Sequence, residues 1–236
     1  MDLGRVGIWT DQFDSQPIQT VRDAAALIED LGYGALWVPE AVGREAMAQA
    51  AILLSATKRI VVANGVASVY ARDAVTAAAG YRTLTEAFPG RALLGLGISH
   101  PSLVQDVRGH RFGPPVATML AYLDALAAAP FGPAVDTPGP VLGALGPRML
   151  ALAAERAAGA LPLGMPVRHT EQAREILGPD GLLAVAQVVV ADRDRAEAVV
   201  PDLLPNRRAL LDLADDQLVD ALVVHGGPER VAERVR

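Results

Sequence analysis

The chain has 236 residues, 51% of them hydrophobic, a formal net charge of −6 and no cysteine. That length can bury one large core, and a single barrel domain over residues 1–236 accounts for it. The acidic balance, the scattered basic side chains and a lone lysine, Lys58, argue against a nucleic-acid partner, while the missing cysteines exclude a disulfide framework, a thiolate nucleophile and a cysteine metal site. The N-terminal residues MDLGRVGIWTDQ carry no basic and apolar leader, and no apolar run reaches the roughly 18 residues of a membrane span. The expectation is a cytoplasmic protein that binds neither nucleic acid nor membrane.

Short β-like runs alternate with amphipathic helical patterns, the signature of βα units in a parallel sheet. Strand one is read at 6–10. The next helix places Val21, Ala24, Ala25, Ile28 and Leu31 on one face, at spacings of three and four. Gly32 and Gly34 end it. Strand two covers 35–39 and its helix 45–57. Strand three, an apolar run over 60–69, leads to a helix at 74–88, with Asp73 as its N-cap. After the tight turn Pro89-Gly90-Arg91 comes strand four at 92–98, which stops at Ser99-His100. A long loop over 101–115, rich in Gly and Pro, is of the kind that shapes sites.

A helix at 116–129 precedes strand five at 141–144. The turn Gly143-Ala-Leu-Gly146 opens a helix at Pro147, where the missing proline N–H is harmless. That helix runs to about 158, and Gly159 is read as its stop. Strand six covers 160–163, and a short helix starts at Thr170-Glu171. Strand seven, 183–190, alternates little, as a strand buried on both faces should. Residues 192–221 read as helical and polar, and Gly226-Gly227-Pro228 starts a last helix. That makes seven strands. An eighth would follow the final helix and is not in the sequence, so the expected fold is α/β, a TIM (β/α)8-type barrel lacking its eighth strand.

In a parallel barrel the C-terminal strand ends carry the chemistry. Glu40 ends strand two and would face the barrel mouth, where it either contacts a ligand or pairs with an arginine. Arg72 either reaches a ligand phosphate or sits in solvent. The free N–H groups at the Pro147 helix start suit a phosphate, with Arg148 adding charge, although a βα turn without ligand has the same pattern. Arg91, in a turn on the opposite barrel face, has no chemical role. His110, His169 and His225 share no metal-ligand spacing, so no metal is expected. Lys58 lies between a helix and strand three, on the wrong face for a Schiff base. Trp9 reads as packing.

Six segments carry a family likeness: GIWT at 7–10, ALWVPE at 35–40, NGVASVYARD at 64–73, GRALLGLGISH at 90–100, GALGPRMLALAAERAAGALPL at 143–163 and ILGPDGLLAVAQVVV at 176–190. Together they resemble the luciferase-like oxidoreductases, in particular the actinobacterial branch that uses the deazaflavin coenzyme F420. The resemblance implies a dimeric barrel with a deazaflavin, or alternatively FMN, across the strand ends. It implies a non-prolyl cis peptide at Ser68-Val69, behind the cofactor ring. It also implies that Leu145 and Gly146 approach the cofactor phosphate through their backbone. In sugar-phosphate-oxidising relatives a glutamate donates a proton from the position of His100, and an imidazole can do that work. Relatives often have an acid followed by histidine at strand two, whereas here Ala41 follows Glu40.

The first reading is a homodimeric oxidoreductase that exchanges a hydride between F420 and a small organic molecule, with His100 and Glu40 as catalytic candidates. Ser68, Val69, Leu145, Gly146, Arg148 and Arg72 are the cofactor-binding candidates. An FMN-dependent monooxygenase, a barrel enzyme without a redox cofactor and a truncated barrel without activity are the rivals.

Overall fold

The computed structural model describes residues 1–130, 135–204 and 207–235. The chain packs as two compact units, residues 1–143 with 156–158, and residues 144–155 with 159 onward. The first unit runs β1 (Gly7–Trp9), α1 (Ile18–Asp30), β2 (Ala35–Val38), α2 (Ala46–Ala56), β3 (Val61–Asn64), β4 (Ala67–Ser68), α3 (Ala74–Ala87), β5 (Ala92–Leu93), β6 (Gly95–Gly97), α4 (Pro115–Ala127) and β7 (Val141–Leu142). Within this unit all the strand pairs are parallel. One group has the order β1-β2-β3-β5, the other β4-β6-β7. Its core takes Val21 and Ala25 from α1, Leu53 and Leu54 from α2, and Leu36 and Val62 from the strands, all buried.

Predicted strands three and four each run in two pieces. The first breaks at Gly65-Val66, which is where the non-prolyl cis peptide lies. This corrects the expectation of Ser68-Val69 by three residues. Ser68 instead sits in regular parallel register opposite Gly97, and the Val69 N–H donates to the Gly97 carbonyl at 3.0 Å. The facing strand carries two glycines that approach this segment closely. A Cβ on Gly95 would lie 1.9 Å from the Asn64 carbonyl oxygen, and one on Gly97 would lie 2.2 Å from Val66 Cγ2. Trp9 donates its indole N–H to the Gly65 carbonyl at 2.6 Å, so its role exceeds packing.

The α1 face departs from its pattern at the last turn. Leu31 is exposed, and the buried side chain beside it is Glu29. The Glu29 carboxylate accepts the backbone N–H groups of Lys58, Arg59 and Ile60, the last at 2.7 Å. A buried carboxylate is tolerated when several N–H groups solvate it. At the same end of the sheet, Arg91 ties the carbonyls of Leu54, Thr57 and Ile60, in keeping with a stabilising role.

The second unit holds α5 (Pro147–Arg156, less its last residue), β8 (Gly159–Ala160), α6 (Val167–Leu177), β9 (Leu182–Leu183), β10 (Val188–Val190), α7 (Arg193–Leu203), α8 (Leu218–Leu222), β11 (Val223–His225) and α9 (Pro228–Val235). Met165, Ala196, Val200, Leu218, Leu222 and Val223 form its core. Three expectations change here. Predicted strand seven is two strands, β9 beside β8 and β10 beside β11. The parallel strand β11 is a further strand beyond the seven, directly after a stretch whose pattern is helical. Gly159 is not a helix stop but a strand residue, required because a Cβ there would lie 1.9 Å from the Leu182 carbonyl oxygen. Among the described residues no helix is long and apolar enough to cross a membrane.

Glu29 makes a testable contribution to stability. Burial raises its pKa, but the three backbone N–H groups and the Arg59 charge outweigh burial and hold it below the ordinary glutamate value. A depressed folded-state pKa gives stability that is present above the unfolded value, about 4.3, and lost as pH falls through the folded value. Glu29→Ala strands those N–H groups and is expected to lower the unfolding free energy by roughly 2 kcal/mol at neutral pH. The deficit should shrink below about pH 4, as measured by urea unfolding across a pH series.

Candidate functional site

The sequence places a carboxylate directly after β2, where a strand end offers few partners of its own. The fold answers with a ring of donors. Glu40 Oε1 accepts the Ala46 N–H at the start of α2, at 3.1 Å, and a hydrogen bond from Arg72 Nη2. Its Oε2 accepts the Ser68 N–H of β4 at 2.9 Å. The Glu40 and Arg72 side chains are only 4% and 8% exposed. Arg72 Nη2 also donates to Glu45 Oε1 at 2.6 Å, while Glu45 Oε2 caps α2 by accepting the Ala48 N–H. Burial works against the Arg72 cation, but the hydrogen bonds and charges of Glu40 and Glu45 more than compensate and raise its pKa. For Glu45, burial raises the pKa, and the N–H groups of Ala48 and Met47 together with Arg72 bring it below the ordinary value.

Asp73 is the predicted N-cap of α3, accepting the Thr76 N–H at 2.9 Å. Tyr122 of α4 donates its hydroxyl to the carbonyl of Arg72 at 3.2 Å, and burial pushes its pKa up to about 12.

A cavity of about 450 Å³ opens beside this network. Its walls come from Glu40 to Glu45, Tyr70 to Arg72, and Val107, Arg108 and His110 of the long loop. That loop contains a π-helical turn, Leu103–Val107, and is tied down at two places. Arg108 Nη2 donates to the Ala41 carbonyl at 2.7 Å, and the Gly113 N–H donates to the Tyr70 hydroxyl at 2.8 Å, with Phe112 stacked on the Tyr70 ring. His100 is exposed and follows Ser99, whose φ of 63° is left-handed and uncommon outside glycine. The structure thus gathers Glu40, Arg72 and the Ser68 backbone into one network. His100, Ser68 and Val69 are not among the cavity walls. Among the described residues no three His, Asp or Glu side chains gather as metal ligands would.

In the second unit the Gly143–Gly146 turn behaves as a helix start. The Gly146 carbonyl accepts the N–H groups of Met149 and Leu150 at 3.1 and 3.0 Å. Nothing crowds Gly146, since an added Cβ would find only Leu210 Cδ2, 4.0 Å away. The sequence pattern starts the next helix only after His169. The residue lies instead in the first turn of α6, buried, with Nε2 2.7 Å from the Leu145 carbonyl. A carbonyl only accepts, so Nε2 carries the hydrogen. The N–H of a trans peptide points opposite to its C=O, so this bond turns the Gly146 N–H away from His169, and among the described residues no backbone acceptor meets it; Arg148, two residues on, is exposed. These features fit an oxyanion at the helix start.

Parallel strands with polar loops at their C-terminal ends, a caged carboxylate and an anion-ready βα turn define a barrel-type α/β enzyme scaffold. The comparisons make this specific. The family model described as luciferase-like monooxygenase matches residues 3–201, so the chain belongs to that family. A protein of Mycobacterium tuberculosis carrying the name coenzyme F420-dependent oxidoreductase is 29% identical over 245 residues, covering 84% of this chain and 70% of its own length. An F420-dependent secondary alcohol dehydrogenase, solved with an F420–acetone adduct, superimposes with a TM-score of 0.78 at 14% identity, over 97% of this chain and 88% of its own. The oxygenating component of 3,6-diketocamphane monooxygenase from Pseudomonas putida, solved with FMN, gives 0.70 at 14% identity, over 97% and 86%. The fold class is therefore α/β of the TIM (β/α)8 type.

The Glu40–Arg72 pair is expected to be a stability determinant. Arg72→Met leaves a buried carboxylate without its cation and should cost about 3 kcal/mol. Adding Glu40→Gln should recover part of that loss, as read from a double-mutant cycle in urea.

Proposed function

We propose that the chain is an oxidoreductase that transfers a hydride between coenzyme F420 and a small organic substrate, acting as a homodimer. The observation that carries this reading is the open helix start at Gly146 and Arg148, in a chain 29% identical over most of its length to a relative bearing that name. In the second unit, the backbone at Leu145 and Gly146 and the Arg148 guanidinium hold the cofactor phosphate. In the first unit, Ser68 and Val69 support the ring, and Arg72 holds that strand end through Glu40. The coenzyme, when bound, supplies the hydride chemistry. His100 holds and delivers the proton to the substrate. Glu40 has both oxygens engaged by Ala46, Ser68 and Arg72, so its part is positioning rather than proton transfer.

An FMN-dependent monooxygenase is the second reading, favoured by the FMN-bound structural neighbour. Parallel fluorescence titrations with F420 and FMN test the two. Saturable binding of F420 with little affinity for FMN is the expected outcome, and a preference for FMN would replace the first reading with the second.

His169 gives a finer test. His169→Phe removes the hydrogen bond that orients the Leu145-Gly146 peptide. It should weaken F420 about tenfold, the value of one good hydrogen bond to a charged ligand. Binding of the deazaflavin that lacks phosphate should be unchanged. His169→Gln, which retains a donor, should restore part of the affinity. Equal weakening of both ligands would mark His169 as merely structural.

A further inference from the structure

The cavity of the first unit has an unbalanced set of charges. Three arginines, Arg44, Arg72 and Arg108, face two carboxylates, Glu40 and Glu45, with His110 alongside. Both carboxylates are committed to a single guanidinium, that of Arg72. Arg44 spends its Nε and Nη2 on the carbonyls of Phe13 and Gln16, at 3.0 and 2.6 Å. Arg108 spends its Nη2 on the Ala41 carbonyl. Among the described residues neither Arg44 nor Arg108 has a carboxylate within ion-pair distance. A carbonyl satisfies a donor but does not balance a cation's charge; the Asp14 carboxylate, which accepts the Arg44 backbone N–H at 3.3 Å, is the acid nearest Arg44, whereas Arg108 is tied by its described hydrogen bond to a carbonyl alone.

A second, independent observation concerns unused donors. Arg72 Nη1 and Arg108 Nε are both buried, and neither has an acceptor among the described residues. Such donors are uncommon in folded proteins because an unmade buried hydrogen bond is unfavourable. Here two of them belong to side chains that wall the same cavity. Tyr70 adds a third polar group. Its hydroxyl oxygen accepts the Gly113 N–H, which leaves the hydroxyl hydrogen to donate elsewhere.

The geometry points to an oxyanion subsite in this cavity, one that takes a carboxylate or phosphate group through Arg108 and Arg72, with Arg44 supplying charge and the Tyr70 hydroxyl a further hydrogen bond. Planar guanidinium groups suit both anions. Occupation requires only that the Arg108 side chain, held by one described hydrogen bond, turn within the cavity. If the chain acts as proposed above, the group belongs either to an anionic substrate or to the acidic tail of the cofactor. The subsite itself does not depend on that reading.

The test uses the whole protein and inorganic phosphate as the probe, with binding followed by calorimetry at low ionic strength. Saturable binding is expected, with about a tenfold loss in Arg108→Gln and in Arg44→Gln, each checked for folding by its circular dichroism and Tm. Arg111→Gln removes a loop arginine that does not wall the cavity and should bind phosphate as the parent does. No saturable binding, no loss in Arg108→Gln and Arg44→Gln, or an equal loss in Arg111→Gln would overturn the subsite. Two further titrations assign its occupant. If Arg108→Gln weakens F420 but not the phosphate-free deazaflavin, the subsite holds the cofactor tail. If it leaves both unchanged while phosphate binding falls, the subsite serves the substrate. Failure of the parent protein to bind F420 at all would remove the proposed cofactor and leave the phosphate result standing.

Discussion

A carboxylate buried at a strand end has to be solvated by the protein, and much of the first unit's polar face follows from that need. Glu40 collects a backbone N–H from α2, another from β4 and the guanidinium of Arg72. Each donor comes from a different chain segment, so one side chain fixes the relation of three of them. Arg72 then extends the network to Glu45, and its carbonyl receives the Tyr122 hydroxyl from α4. Burying either partner alone would be strongly unfavourable. Buried together, they form part of the cavity wall.

How much of this is legible in the sequence depends on whether local pattern or tertiary contact sets each feature. The βα alternation, the Asp73 cap and the helix start at Pro147 are local, and all read correctly from spacing and residue type. Predicted strand seven reads as continuous because 183–190 is uniformly apolar. What divides it is the choice of neighbour, β8 for one piece and β11 for the other, and an apolar run does not encode that choice. β11 itself, only three residues long, is hidden by the helical pattern before it. Gly159 resembles a helix stop because its real constraint, the Leu182 carbonyl across the pair, is distant in sequence.

The site divides in the same way. Glu40 and Arg72 are visible as charged residues at strand ends, and an arginine partner is one of the two readings of Glu40, but which arginine it is does not follow from the sequence. The cis peptide lies at Gly65-Val66, and the close approach of Gly95 and Gly97 to that segment is a tertiary contact that residue types at Ser68-Val69 do not reveal. Arg108 and His169 give no signal beyond being polar residues near loops, and their importance lies in the carbonyls they meet. At position 41 it is the backbone carbonyl, not the alanine side chain, that holds Arg108, so the residue type there carries no signal of the contact. Family membership settles the scaffold and says nothing of this contact.

The two glycines facing the strand break are not equivalent, and the difference bears on how this sequence can drift. At Gly95 the obstacle is main chain, the Asn64 carbonyl, so no change elsewhere makes room for a side chain. At Gly97 the close obstacle is a side-chain methyl of Val66. Gly97→Ala meets a clash while Val66 is intact; once position 66 has lost its γ-methyls the remaining contact is its Cβ at 3.3 Å, which need give only slightly. Position 97 is therefore conditional on position 66, whereas position 66 is not conditional on position 97. Descendants of this sequence should reach a small residue at 66 before they lose the glycine at 97, whatever selection acts on the neighbouring site.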